Sequence, residues 1–165
     1  MKVILHLATS CDGFIAKKDG DSDWVSPTDS KIFLKRAKSS DAIIIGRKTF
    51  EQYKGDLYPI PHIYNIVLTK KKASYKNTIC ATSPRQALQI AKKLGLKNIL
   101  VAGGGKTSAA FLKASLIDEI FLNVHPLALG SGISVFEGLQ STKKIKLIGS
   151  KLLGQGLVEL HYKTI

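Results

Sequence analysis

The chain has 165 residues, 44% hydrophobic and 22% charged, enough apolar material for one buried core and too much for a disordered chain. Its 25 Lys and Arg against 12 Asp and Glu give a formal net charge of +13, which calls for an anionic partner or a solvated basic surface. No apolar run approaches the length a bilayer requires. The two cysteines, Cys11 and Cys80, share no metal-ligand spacing, which points to a reduced, cytoplasmic protein without a metal site.

In chain order, Val3–Ala8 reads as a buried strand rather than a signal peptide. Its apolar run is short, His6 interrupts it, and Cys11-Asp12-Gly13 ends it without a small-residue cleavage site. Pro27-Thr28-Asp29 opens a helix expected over Asp29–Ala37, with Phe33 and Ala37 at i,i+4 spacing. Strands are expected at Ala42–Ile45 and Ile63–Leu68. A helix follows over Pro84–Leu94, capped by Ser83 and stopped by Gly95. A strand over Ile99–Ala102 and a helix over Ala109–Leu116 come next. The last third turns to strands at Ile117–Val124, Ile145–Leu153 and Leu157–Tyr162, the final two joined by the hairpin signal Gly154-Gln155-Gly156. This alternation predicts a single-domain α/β three-layer sandwich over residues 1–165, mostly parallel in its central sheet, with a C-terminal antiparallel hairpin at one edge.

Ligands of such sheets sit beyond the carboxyl ends of the strands, where helix N-termini present unsatisfied amides. Three of these junctions carry chemistry. Gly46-Arg47-Lys48-Thr49 follows Ile43-Ile44-Ile45 and joins a tight turn to two cations and a hydroxyl. Thr69-Lys70-Lys71-Lys72 follows Leu68, and Gly103-Gly104-Gly105-Lys106-Thr107-Ser108 follows Ala102. The last ends like a triphosphate loop, but Leu100 stands where the first glycine of that motif belongs. It also lacks the final glycine of the dinucleotide fingerprint GxGxxG. Three cationic junctions in succession suit the separated anionic groups of a dinucleotide. The scattered lysines, with no aromatic-interleaved basic motif, leave a nucleic-acid-binding domain as the alternative from another class.

Four segments in order, Ser10-Cys11-Asp12-Gly13-Phe14-Ile15-Ala16, Trp24-Val25-Ser26-Pro27-Thr28-Asp29 with Phe33, Gly46-Arg47-Lys48-Thr49-Phe50-Glu51 and Val101-Ala102-Gly103-Gly104-Gly105, carry a resemblance over the whole chain. They resemble the dihydrofolate reductase superfamily, which includes dihydrofolate reductases and the reductase C-terminal domain of riboflavin biosynthesis. Pro126-Leu127-Ala128-Leu129-Gly130-Ser131-Gly132 with Phe136 looks like the riboflavin-type branch.

The resemblance implies NADPH-dependent hydride transfer to a small molecule. By the same resemblance Gly46, Arg47, Lys48 and Thr49 hold cofactor phosphates, and Leu68, Thr69, Lys70 and Lys71 surround the adenosine 2′-phosphate. Ala102 with Gly103, Gly104, Gly105, Lys106, Thr107 and Ser108 cradles the pyrophosphate, through a cis Gly103–Gly104 peptide. Ala8 and Ile15 border the nicotinamide. Ala8, Trp24, Asp29 and Phe33 form the substrate pocket, with Asp29 as the carboxylate that supports protonation of the reduced nitrogen.

Asp29 has a plain competing role at the positive end of a helix, and Asp12, Asp21 and Asp23 are rival carboxylates in the preceding loop. His125, before Pro126, reads as structural. The pocket helix directs the reading to a pteridine, dihydrofolate first, with a riboflavin-pathway pyrimidine reductase as the alternative. Against folate stands the absence of any arginine between Arg47 and Arg85, where Ile63 occupies the position of the folate-tail arginine and Lys54 is the available substitute. Against the alternative, Phe33-Leu34-Lys35-Arg36-Ala37-Lys38 replaces that branch's histidine and Leu-Arg-Ala. Related reductases of this branch are often dimers, so a homodimer is expected.

Overall fold

Residue parity on two strands, β1 (Lys2–Ser10) and β3 (Ala42–Gly46), sets the layers of the computed structural model, which describes residues 1–165. On β1, Val3, Leu5 and Leu7 enter one apolar cluster, while Ile4 packs against a second on the other face of the sheet. On β3, Ala42 and Ile44 face the first cluster and Ile43 and Ile45 the second, all fully buried. An uninterrupted apolar run of this kind marks a central parallel strand covered on both sides.

Helices α1 (Pro27–Lys38) and α2 (Arg47–Gln52) supply Ala37 and Phe50 to the second cluster. Helices α3 (Pro84–Lys93) and α4 (Gly105–Lys113) supply Leu88, Phe111 and Leu112 to the first. The remaining strands are β2 (Phe14–Ala16), β4 (Tyr64–Leu68), β5 (Ile79–Ala81), β6 (Asn98–Val101), β7 (Glu119–His125), β8 (Ile133–Ser134), β9 (Ile145–Gly154) and β10 (Leu157–Thr164).

The main sheet runs β5-β4-β3-β6-β1-β7-β10-β9. Its pairings are parallel from β5 to β7 and antiparallel for β10 against β7 and β9. The three-layer α/β sandwich expected from the sequence is the observed fold. The closing hairpin turns through Gln155 at φ 52, and β10 slots between β7 and β9. That leaves β9 as the edge strand at this end of the sheet, opposite the β5 edge, with Leu147, Ile148 and Leu152 exposed. A small second sheet pairs β2 with β8. No helix is long and apolar enough to cross a membrane.

The expected elements all form, with shifts at their ends. Helix α4 begins at Gly105 rather than Ala109, because its first turn, Gly-Lys-Thr-Ser, carries no apolar period to register. Helix α2 was legible only as a helix start, since six residues with one buried side chain, Phe50, hold no repeat. The two- and three-residue strands β2, β5 and β8 are too short for alternation to show.

Candidate functional site

A cavity of about 980 Å³ opens at the carboxyl ends of β1, β3, β4 and β6, the position a parallel sheet offers to ligands. One wall is made by the starts of α2 and α4, which are stitched together. Gly46 N–H donates to the Gly103 carbonyl at 2.8 Å, and Gly104 N–H donates to Thr49 Oγ1 at 3.1 Å. A Cβ on Gly46 would run into Thr107 Oγ1, so glycine is what allows the two helix ends to meet. The Gly103–Gly104 peptide is cis, as expected.

Neither of these helices has a side-chain cap on its N-terminus. By contrast, α1 is capped by Ser26, which accepts from Asp29 N–H, and α3 by Ser83, which accepts from Gln86 N–H. The first-turn amides of α2 and α4 are therefore left to whatever occupies the cavity.

Cations ring this wall. Arg47, Lys48, Lys70, Lys71 and Lys106 all line the cavity with Gly46, Thr49, Leu68, Thr69, Ala102, Gly104, Gly105 and Thr107. Arg47 is anchored by Glu51. The Glu51 carboxylate is held below its usual range, first by the hydroxyl of Tyr75, which donates to it at 2.6 Å, and then by the Arg47 charge. Lys106 lies 3.5 Å from Glu137 and stays exposed. Thr69 departs from the expected phosphate donor: its Oγ1 donates to the Lys71 carbonyl at 3.2 Å and accepts from Lys71 N–H at 3.1 Å. Its hydroxyl shapes the turn that presents Lys70 and Lys71.

Two further residues expected in the cradle lie behind it. Gly103 and Ser108 are not in the cavity wall. Ser108 is fully buried and its hydroxyl donates to the Gly104 carbonyl at 3.1 Å, while a Cβ on Gly103 would meet Leu7 Cδ2 at 2.7 Å. Both support the turn from within.

Ala8, Ile15, Asp29 and Phe33 come together at the other end of the cavity, as expected. Trp24 does not join them. Its indole stands edge-on to His125, centroids 5.1 Å apart and planes at 83°, outside the cavity wall, with Nε1 buried and unpartnered. The Trp-x-x-Pro-x-Asp spacing placed the helix correctly, but the ring turns toward β7. The rival carboxylates have other occupations. Asp12 accepts from the N–H groups of Leu129 and Gly130 at 3.1 and 2.7 Å, and Asp21 and Asp23 share Lys17. Lys54 lies near the Tyr75 ring and not in the cavity.

Asp29, only 2% exposed, rests on polar groups that sequence reasoning had not assembled: His6, Asn123 and His125, each 3% exposed or less. Asn123 Nδ2 donates to Asp29 Oδ1. His6 Nε2 stands 3.6 Å from the same oxygen, and His125 Nε2 stands 3.9 Å from Oδ2. Burial pushes the His6 imidazole below its ordinary value, with Arg36 adding to the effect. The signal that could have found these residues is a polar side chain at an inward position of an otherwise apolar strand, because such a group is retained only with a partner. Oδ2 receives no hydrogen bond from the chain, and Asp29 lines the cavity. The arrangement is a carboxylate at the apolar end of a cation-walled cleft, with one oxygen held and one free.

Known proteins share this architecture. A 34% identical relative, the uncharacterized protein YwjB of Bacillus subtilis, aligns over 98% of this chain and 97% of its own length. The riboflavin biosynthesis protein RibD of Mycobacterium tuberculosis is 26% identical over 79% of this chain and 43% of its own length, so this chain spans less than half of it. A solved structure from Shewanella sp. PV-4, named for riboflavin biosynthesis, superposes with a TM-score of 0.85 at 26% identity, covering 100% of this chain and 99% of that one. The family model of the RibD C-terminal domain matches residues 1–58 and 62–159. These matches side with the riboflavin-type branch and lend the dihydrofolate reading no support. A cation-lined cleft at the strand ends, in a sheet closed by a C-terminal hairpin, is thus accounted for by descent: the chain belongs to the RibD C-terminal domain family and falls among oxidoreductases.

Proposed function

We propose that the chain is an NADPH-dependent reductase acting on a pyrimidine of the 5-amino-6-ribosylaminouracil phosphate type. One observation carries this reading: a single cavity joins a wall of five cations and two uncapped helix starts to a buried carboxylate with a free oxygen. The donor set fits the cofactor. Arg47, Lys48 and Lys106 with the first amides of α2 and α4 would hold its pyrophosphate. Lys70 and Lys71 would hold the 2′-phosphate that separates NADPH from NADH. Ala8 and Ile15 would border the nicotinamide, the small side chain at Ala8 leaving room for close approach.

When bound, NADPH supplies the hydride. The chain's residues supply the rest. Phe33, Leu34 and Leu57 make the substrate end apolar and exclude water. Asp29 Oδ2 accepts a hydrogen bond from an N–H of the substrate, orienting the ring and favouring proton uptake at the nitrogen next to the reduced carbon. In this reading the free edge of β9, with its exposed Leu147, Ile148 and Leu152, pairs with a second copy. Light scattering of the wild type against Leu152→Lys tests that point, a monomer in both excluding it.

The test of the activity is NADPH oxidation with the ribosylaminopyrimidine phosphate and with dihydrofolate in parallel. Turnover of the pyrimidine alone is expected. Turnover of dihydrofolate alone, or NADPH binding no tighter than NADH, overturns the proposal.

A further inference from the structure

Behind Asp29 a line of polar groups crosses from α1 to β10. On the face of β1 turned toward α1, His6 is 1% exposed and its Nδ1 meets Arg36 Nη1. A guanidinium nitrogen can only donate, so Nδ1 must accept and the imidazole proton resides on Nε2. Arg36 is itself clamped. Its Nη2 donates to Glu159 Oε2 at 3.0 Å, and its guanidinium lies 3.8 Å over the Phe121 ring. Groups from α1, β7 and β10 therefore fix one tautomer of a residue on β1.

The fixed proton sits on the nitrogen nearest Asp29. Nε2 is 3.3 Å from Asn123 Nδ2 and 3.6 Å from Asp29 Oδ1. Two donors cannot bond each other, so with Nδ1 accepting from Arg36 the Nε2 proton is left to Oδ1. That contact becomes a hydrogen bond with a shift of a few tenths of an ångström, as catalytic contacts often do when ligand binds. Asn123 donates to the same oxygen. The amide nitrogen must face it, because an ionised carboxylate only accepts. His125 supplies nothing to Oδ2: its Nε2 accepts from Ser26 N–H at 3.2 Å, and its Nδ1–H donates to the Asn123 carbonyl at 3.2 Å. The 3.9 Å approach of His125 to Asp29 holds no proton. Both donors converge on Oδ1, and Oδ2 has none.

We propose that His6 is the positioning residue of this site: locked by Arg36 as the Nε2–H tautomer, it holds Asp29 Oδ1 together with Asn123, so that Oδ2 alone is presented to a ring N–H or amino group of a heterocyclic substrate. The proposal rests on the reductase reading for its substrate, but not for its geometry. Protonating His6 would set an Nδ1–H against the Arg36 guanidinium, so the clamp works only with a neutral ring. The charged groups that face it are Asp29 and Arg36 from α1 and Glu159 from β10, with His125 of β7 beyond Asp29.

Two measurements test it. Nitrogen-15 NMR of the histidine rings in the ligand-free wild type reads the tautomer directly. His6 is expected as neutral Nε2–H through the neutral range, and an Nδ1–H tautomer or an imidazolium there overturns the proposal whatever the enzyme's substrate. The second compares His6→Leu with His6→Gln, whose amide can accept from Arg36 and donate to Asp29. Leucine is expected to lower kcat by about tenfold to a hundredfold, the scale of a misplaced catalytic group. NADPH affinity should stay unchanged, and glutamine should restore most of the rate. Equal losses in both variants, or none in His6→Leu, overturn the proposal. If the wild type turns over no pyrimidine, the reductase reading fails and the tautomer measurement still decides the role of His6.

Discussion

The cation wall and the Asp29 pocket share one cavity yet are assembled differently. The wall comes from three short stretches, Gly46–Thr49, Leu68–Lys71 and Ala102–Thr107, each contiguous and each at the end of a strand. The pocket joins groups far apart in the chain, Asp29 and Asn123 being 94 positions apart and Arg36 and Glu159 123. The lysines of the wall, Lys48, Lys70, Lys71 and Lys106, are exposed, and a phosphate can be met by any nearby cation. The pocket is buried, with His6, Asp29, Asn123 and His125 each 3% exposed or less, and its polar groups depend on one another for partners. Contacts made in water are replaceable, whereas buried ones are not.

The largest effect should come from the pocket. Asp29→Asn keeps the shape and removes the charge, and it should lower the rate of hydride transfer by about a hundredfold or more while leaving NADPH affinity intact. Single-turnover kinetics and a cofactor titration measure both, and a variant that turns over like the wild type would mean Asp29 is only a helix-end charge. On the wall, Lys70→Gln with Lys71→Gln should weaken NADPH by about tenfold, one charge-assisted contact's worth, and leave NADH unchanged. Equal weakening of the two nucleotides would place the 2′-phosphate elsewhere. High salt should erase part of that difference, because exposed charges are screened.

Gly46→Ala probes the seam between the helix starts. Its Cβ collides with Thr107 Oγ1, so stability should fall by about 1–3 kcal/mol and NADPH affinity should fall with it. Ser83→Ala, on the capped helix away from the cavity, should cost about 1 kcal/mol with no change in cofactor binding. Urea denaturation and NADPH titration of the pair separate a wall defect from a general loss.

The smallest effect is one of pH. His6 titrates in the folded chain below its ordinary value of 6.5, chiefly through burial. The unfolded chain takes up the proton first, so this contribution to stability is complete above about pH 6.5 and declines as pH falls toward the folded value. His6→Gln should flatten the stability profile in that window, measured by urea midpoints at about pH 7.5 and 5.5. An unchanged slope would mean His6 titrates normally. The depressed carboxylates Asp41 and Glu51 lose their contributions at lower pH, outside this window.

Much of the wall was legible because glycine turns, cation runs and strand ends are local signals. The layers were legible for the same reason: strand and helix patterns alternate along the chain, Ile43 to Ile45 are unbroken, and Ser83-Pro84 marks a helix start. What failed locally is instructive. Thr69 carries the expected hydroxyl but spends it on its own turn, and Ser108 turns inward to Gly104. Trp24 sits at the expected spacing and packs on His125 instead. Spacing along a helix sets which face a residue occupies, not which of two neighbours fills the space beside it.

By itself the sequence determined the sandwich, its parallel order of strands and helices, the cationic strand ends and the candidacy of Asp29, since periodicity, caps and turn residues act over a few positions. Only the tertiary structure decided that His6, Asn123 and His125 lie beneath Asp29. That follows from sheet register, which sets Ala8 beside Asn123 and Ser10 beside His125, and from α1 laying Asp29 and Arg36 over the same face. A lone histidine in an apolar strand has no pattern of its own. Its meaning comes from the partners that burial compels it to have.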